Sequence, residues 1–464
     1  MKLLNIAISH FILLLVIILS SIIMSFKPKN DIVVVYSQLL LVVTFFWTFS
    51  EQLKLHGFKH LLTFFLGIFF LFLLSLPFFD LIQAIDIQKQ YLFVKIKISN
   101  EIFYKVYTFS TYFIALMFTG AIFGYVDENE LKKRKVELAY DNKLNLAGMV
   151  IFLLALPGLL TKYFIQLKVV FQYGYFAVYD GTLDKIKYPI ICYGSGMLLV
   201  IGYCVFIASK PRKKIFLIIT TIFLITQAIN VLKGQRAVLM FPLVFSVWYY
   251  FKFYAKSISK KNIVFLVLIV AVLSQSIHYF RSNNHIILKK ETFVQKYVAS
   301  FFTGQGVSFF ILPYMIHYDL HNDRYPYLLA PLDITSHGKI QNISRLTENN
   351  YLADQLMYRM LPQSYNQGGG VGTSLLGVFY DLPAVIAIIL CFLLGFLIVK
   401  FDAYVKYSRI LLLSSFYIVF AVSSSPRYEL FQLFYDLMIV WIVFFMVGVL
   451  QLIANKTSNK LNKV

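Results

Sequence analysis

Long apolar runs separated by short polar segments repeat along nearly the whole chain. They cover residues 4–25, 32–49, 61–79, 104–125, 144–161, 188–209, 215–231, 237–254, 262–279, 373–399, 410–423 and 430–453. A helix rises 1.5 Å per residue, so about 20 apolar residues cross the hydrocarbon of a bilayer. Most of these runs are close to that length. None alternates in polarity with period two, which excludes a spanning β-barrel. The pattern predicts an all-α, polytopic transmembrane helical bundle of about 12 helices, with residues 1–464 as a single polytopic membrane domain. The first run is long for a signal-peptide core and lacks a small-residue cleavage site, so it reads as a retained helix.

The polar segments carry the orientation. Basic residues gather at Lys132, Lys133, Arg134 and Lys135, at Lys210, Arg212, Lys213 and Lys214, at Lys252, Lys256, Lys260 and Lys261, and at Lys400, Lys406 and Arg409. Twelve crossings put all four clusters on one side, which the positive-inside bias makes cytoplasmic, together with both termini. The loops of the other side are short or moderate, apart from residues 280–372 between helices nine and ten. That segment is predicted to be a folded outer-face (periplasmic or extracellular) loop subdomain. Phe293–Tyr318 has an amphipathic pattern, and 326–331 and 352–361 add apolar anchors.

Composition agrees with a lipid solvent: 59% of residues are hydrophobic, 14% are charged, and the mean hydropathy is +0.72. The net charge of +21 is high enough to raise nucleic acid as a partner, but the basic residues sit in short clusters between apolar runs, so lipid is the partner they fit and no nucleic acid is expected. Cys192, Cys204 and Cys391 all lie inside apolar runs, and their spacing forms neither a disulfide framework nor a metal set. Walker A, GxGxxG, HExxH and nucleophile-elbow patterns are absent, and no cofactor or metal is called for. Acidic residues within the runs are few, with Asp381 and Asp436 the main ones, which weighs against ion-coupled transport.

Candidate chemistry lies on the face opposite the basic clusters. Helices eight, ten and twelve are predicted to start there, after Lys233-Gly234-Gln235-Arg236, after Gln367-Gly368-Gly369-Gly370-Val371-Gly372 and after Ser425-Pro426-Arg427-Tyr428-Glu429. Helix starts carry free N–H groups and partial positive charge, and arginine binds phosphate oxygens in pairs. Arg281, just past helix nine, falls at the same depth. Any one arginine here also reads as a side chain snorkelling to a membrane boundary; Arg236, Arg281 and Arg427 together point to an anion. Glu429 reads either as a base or as the ion-pair partner of Arg427. Asp381 reads as an anchor at an interfacial turn. His317 and His321 share a helix face but lack a third ligand, and a solvated face is the simpler reading.

In layout and in these motifs the chain resembles the Wzy-type oligosaccharide repeat-unit polymerases of bacterial O-antigen, common-antigen and capsule synthesis. Gly234-Gln235-Arg236-Ala237 looks like the family's Gly-x-Arg at a helix start, and Gly370–Leu382 like its glycine-rich entry to the helix after the long loop. Tyr173-Gly174-Tyr175-Phe176 is similar to an aromatic segment of an earlier outer loop, and Arg427 with Glu429 to an Arg-Glu pair before the last helix. Val378 stands where some relatives carry glutamate. The resemblance implies a membrane glycosyltransferase of the bacterial inner membrane that uses neither metal nor nucleotide sugar. Its donor and acceptor are oligosaccharides linked to a polyprenyl pyrophosphate such as undecaprenyl pyrophosphate. A chain-length regulator and a flippase are the implied partners. Arg236, Arg281, Arg427, Gln235 and Gly370 then hold the pyrophosphate, and Glu429 is the candidate catalytic base. An O-antigen ligase, or a flippase or transporter of lipid-linked oligosaccharides, fits the same layout.

Overall fold

The computed structural model describes residues 2–91, 94–174, 182–183, 186–233, 237–255, 300–321, 325–332, 346, 351–366 and 370–461. All regular structure among them is helical. The long elements are α1 (Lys2–Ser25), α2 (Asp31–His56), α3 (Leu61–Leu81), α4 (Asn100–Gly124), α6 (Asn142–Tyr173), α8 (Lys213–Val231) and α15 (Ala384–Tyr404), and all seven are long and apolar enough to cross a bilayer. The shorter apolar helices α7 (Ser195–Ala208), α9 (Ala237–Phe253) and α16 (Arg409–Ser424), and α17 (Phe434–Leu461), whose apolar stretch is Phe434–Met446, coincide with four more of the predicted runs. The ninth predicted run, 262–279, lies outside the described residues. The chain is therefore a polytopic helical membrane protein. Short helices α5 (Glu128–Arg134), α10 (Ser300–Gly306), α11 (Ile311–His317), α12 (Leu352–Met360), α13 (Pro362–Asn366) and α14 (Leu375–Tyr380) complete the set.

Two departures from the hydropathy pattern have local causes. The run 373–399 is two helices, α14 and α15, because Pro383 disfavours a helical Leu382 and opens α15 itself. The run 188–209 becomes helical only at Ser195, after a 3₁₀ turn at Ile190–Cys192 and a left-handed Gly194 (φ 71°). The α6 helix ends at Gly174 (φ 86°), whose N–H donates to Val170 O at 2.8 Å; the glycine of the predicted aromatic motif thus serves as a helix terminus.

Lipid gives helices little hydrophobic reason to associate, so close backbone approach has to supply it. Gly120 and Gly124, four apart on α4, meet Phe392 and Phe396 of α15, and a Cβ on Gly120 would lie 1.8 Å from Phe392 O. Gly395 makes the reciprocal contact with Met117 O. Gly148 on α6 and Gly202 on α7 pair in the same way.

The basic segments converge at one end of the bundle. Asp141 N–H donates to Ser209 O (3.0 Å), Leu138 N–H to Lys406 O (3.0 Å), and Arg409 to the carbonyls of Ala208 and Ala139. At this end a fully buried carboxylate, Asp402, accepts from Leu61 N (3.1 Å), Trp248 Nε1 (2.8 Å) and Lys252 Nζ (2.5 Å), with His60 Nε2 at 3.4 Å. It ties α3, α9 and α15 together. The described parts of 280–372 pack at the other, distal end: Phe302 O accepts from Ser75, Tyr314 OH donates to Val94 O (3.0 Å), and Phe309 stacks near Phe103 and Tyr107.

Removing one member of a buried ion pair costs about 3–5 kcal/mol. Asp402→Ala is therefore expected to lower the detergent-solubilised Tm sharply, and Asp402→Asn, which keeps an acceptor, to lower it less. Wild-type melting in Asp402→Ala would contradict the hub role.

Candidate functional site

Four segments meet at the distal end. The first is the turn that follows α16, where Ser424 O accepts the N–H groups of Arg427 (2.9 Å) and Tyr428 (2.8 Å). The Arg427 side chain crosses to α3, its Cζ lying 5.7 Å from the Phe72 ring centroid. Phe72 belongs to the second segment, a π-helical turn at Phe70–Leu74 in the middle of α3. Such turns insert a residue into a helix and recur at functional sites. The third is the glycine-rich segment leading to α14. Gly372 packs on the Arg427 turn so closely that a Cβ would sit 2.7 Å from Arg427 O and 3.2 Å from its Cγ. The neighbouring Thr373 and Ser374 hydroxyls are buried without a hydrogen-bond partner among the described residues, so both keep a donor to offer. The fourth is the start of α9, where Phe241 lies 6.0 Å from the Tyr428 ring.

A buried cation sits just upstream of α9. Lys233, 5% exposed, follows α8; its ammonium donates to Gln166 Oε1 and lies 4.3 Å from the Tyr163 ring centroid. Gln166 Nε2 in turn donates to Tyr188 OH (3.2 Å), and Lys162 lies over the Tyr188 ring at 5.6 Å. Burial, and secondarily the charge of Lys162, pulls the Lys233 ammonium down to about 8 from its usual 10.5. The group is a cation at neutral pH and loses its charge well below an ordinary lysine. Sequence reasoning names Lys233 only as a residue flanking the Gly-Gln-Arg motif; its burial depends on Tyr163 and Gln166, some seventy residues earlier in the chain.

Of the predicted site residues, Arg427 and the glycine-rich segment are brought together. Gly370 lies on that segment and is exposed, and Glu429, two residues past Arg427, is half-buried. Gln235, Arg236 and Arg281 lie outside the described residues. The expected helix starts are only partly realised. α17 begins at Phe434, so Arg427 and Glu429 belong to the turn closing α16, and the helix after the glycines is the six-residue α14. A dipole from a long twelfth helix therefore does not reach Arg427, since its effect fades within one turn. Asp381 is an anchor: Oδ2 accepts Tyr327 N–H at 2.9 Å, and Oδ1 lies 3.5 Å from His321 Nδ1. Among the described residues no group of three His, Cys, Asp or Glu side chains is placed to hold a metal ion.

The Lys233 environment has a measurable signature. A lysine whose folded value lies below its unfolded one binds fewer protons in the folded state between about pH 8 and the ordinary value of 10.5, so folding gains stability as pH rises through that window. Arginine stays charged throughout. The Tm of the wild type should therefore rise relative to Lys233→Arg between pH 7 and pH 10, other groups cancelling in the difference. A constant difference would place Lys233 in water.

A family model described as O-antigen polysaccharide polymerase Wzy matches residues 6–460. Comparison with curated proteins and with solved structures gives no match.

Proposed function

The chain belongs to the O-antigen polysaccharide polymerase Wzy family, and from that membership we propose that it joins polyprenyl-pyrophosphate-linked oligosaccharide repeat units by glycosyl transfer at the outer face of the bacterial inner membrane. The observation that carries this reading is the Arg427 turn. A guanidinium held over Phe72, a glycine that admits no side chain against it, and two unpartnered buried hydroxyls form a small oxyanion-binding corner at the end away from the basic clusters. By the positive-inside bias that end faces outward and both termini face the cytoplasm. Residues 280–372 are then the outer-face subdomain.

In this reading Arg427, together with Arg236, Arg281 and Gln235, grips the donor pyrophosphate. The Gly370–Gly372 backbone approaches it closely, and Lys233 adds a second type of cation. The acceptor sugar hydroxyl attacks the donor anomeric carbon. The bond from that carbon to the pyrophosphate oxygen breaks, and the electron pair leaves on polyprenyl pyrophosphate. Charge grows on the leaving group, so fixed cations there stabilise the transition state more than the ground state. The hydroxyl proton passes to a nearby base, for which Glu429 is the nominee. Neither metal nor nucleotide sugar enters these steps. A flippase that delivers the lipid-linked unit and a regulator of chain length are the expected companions.

Deleting the protein should leave single repeat units on their surface anchor, seen as loss of the ladder on a glycan gel. Loss of all anchored glycan would instead indicate a ligase or flippase, and an unchanged ladder would contradict all three. Arg427→Ala should reproduce the single-unit pattern with protein still in the membrane. Polymerisation by purified wild type should fall as pH rises through about 8, where Lys233 discharges, and Lys233→Arg should move that fall upward.

A further inference from the structure

A cleft separate from the Arg427 corner opens at the distal end, between the start of α2, the end of α3 and the start of α4. Its volume is about 180 Å³ and it is lined by Asp31, Gln38, Asp80, Asp86, Phe103 and Tyr107 among others. That is smaller than a drug-sized pocket, which begins near ~300 Å³, and suits one small ring.

The lining has a definite chemistry. Three carboxylates surround the cleft in a chain whose net charge is +21. Each is held in place: Asp80 accepts from Ile87 N (2.8 Å) and Gln38 Nε2 (2.9 Å), Asp31 from Asn100 Nδ2 (2.7 Å), and Asp86 from Gln88 N (3.0 Å) and, in an exposed ion pair, from Lys89 Nζ (3.0 Å). A carboxylate offers about four lone-pair sites, so each keeps acceptor capacity after these bonds. With its oxygens taken by N–H groups, Asp80 is poorly set to chelate a cation, and no three-ligand metal group occurs among the described residues. At the base is Tyr107, 1% exposed, whose hydroxyl makes no hydrogen bond among the described residues. Phe103 and Ile87 supply apolar surface. Acceptors outnumber donors, Asp31 and Asp80 have no cationic partner among the described residues, and a phenol waits for a partner. The complementary ligand carries many hydroxyl donors around a ring with an apolar face, and carries no negative charge.

We propose that this cleft binds an uncharged sugar ring of the glycan, holding the oligosaccharide at a point remote from its pyrophosphate. The assignment rests on the reading of the chain as a repeat-unit polymerase. The cleft abuts the long loop through Phe309, which lies 5.9 Å from the Tyr107 ring and 6.4 Å from that of Phe103, so the loop flanks the sugar. Uronic acids and other anionic sugars are repelled by Asp31 and Asp80.

The test uses the full-length protein in nanodiscs and, as probe, the lipid-free neutral oligosaccharide repeat unit, with contact read by saturation-transfer NMR. Binding is expected in the wild type and unchanged in Arg427→Ala, because the probe has no pyrophosphate. One hydrogen bond to a sugar hydroxyl corresponds to about tenfold in affinity, so Tyr107→Phe should bind about tenfold more weakly. Val35→Trp, at an exposed position on the rim, should fill the cleft and abolish binding while leaving the gel-filtration profile unchanged. Equal binding by wild type, Tyr107→Phe and Val35→Trp overturns the proposal, as does no binding by the wild type. The polymerase reading fails on a different result, an intact ladder in the deletion strain.

Discussion

The Asp402 carboxylate sets the register of the bundle. A fully buried charge in a membrane protein is costly unless paired, and here the pairing comes from two other helices at once: the first N–H of α3 with its N-cap His60, and two side chains of α9. Rigid helices transmit that registration to the other end. Fifteen residues of α9 separate Lys252 from Ala237, about 22 Å of rise, and eleven residues of α3 separate Leu61 from Phe72, about 16 Å. Pinning both at the basic end fixes where α9 begins and at what height the π-turn presents Phe72. The glycine contacts of α4 with α15 and of α6 with α7 hold the remaining helices at matching depth. The Arg427 corner is assembled at the heights these constraints dictate.

Charge is divided between the two ends in a way that suits the proposed chemistry. The basic end holds the exposed clusters Lys132–Lys135 and Arg212–Lys214, which anionic lipid and the insertion bias explain. At the distal end two cations rest against aromatic faces: Arg427 over Phe72, and Lys233 between Gln166 and Tyr163. Cations placed against aromatic faces in partly desolvated surroundings act more strongly on an anion than exposed ones do. The acidic cleft occupies the same end, so in the proposed reading the Arg427 corner takes the diphosphate and the cleft takes a sugar of one substrate.

Much of the architecture was legible in the sequence because every span obeys the same length requirement. The runs at 4–25, 104–125 and 215–231 match α1, α4 and α8 within four residues, and the run at 32–49 gives the start of α2 but stops seven residues short of its end at His56. Hydropathy failed where a single residue decides: Pro383 splits the run 373–399, which an averaged window does not detect. The start of α17 was placed too early for a similar reason, since Leu430 and Phe431 are apolar but lie in the turns after α16. Within the candidate site, Arg427 and the glycines stood out by residue type. Their contact did not, because Gly372 and Arg427 are far apart in the chain and nothing local records that they touch. The π-turn was equally hidden, as Phe-Leu-Phe-Leu-Leu also fits an ordinary helix. Lys233 was passed over because a lysine at the end of an apolar run marks a boundary unless something buries it. The Tyr107 cleft draws on three helices and left no linear motif.

The most direct test of a diphosphate-binding corner that faces outward is thiol accessibility in intact cells. The native Cys192, Cys204 and Cys391 are buried, so background labelling is low. A cysteine at the exposed Gly370 should react with a membrane-impermeant maleimide from outside and be protected by added polyprenyl pyrophosphate, whereas one at Lys133 should react only after permeabilisation. Labelling of Gly370→Cys solely from the cytoplasmic side, or labelling that the diphosphate lipid leaves unchanged, would contradict the account.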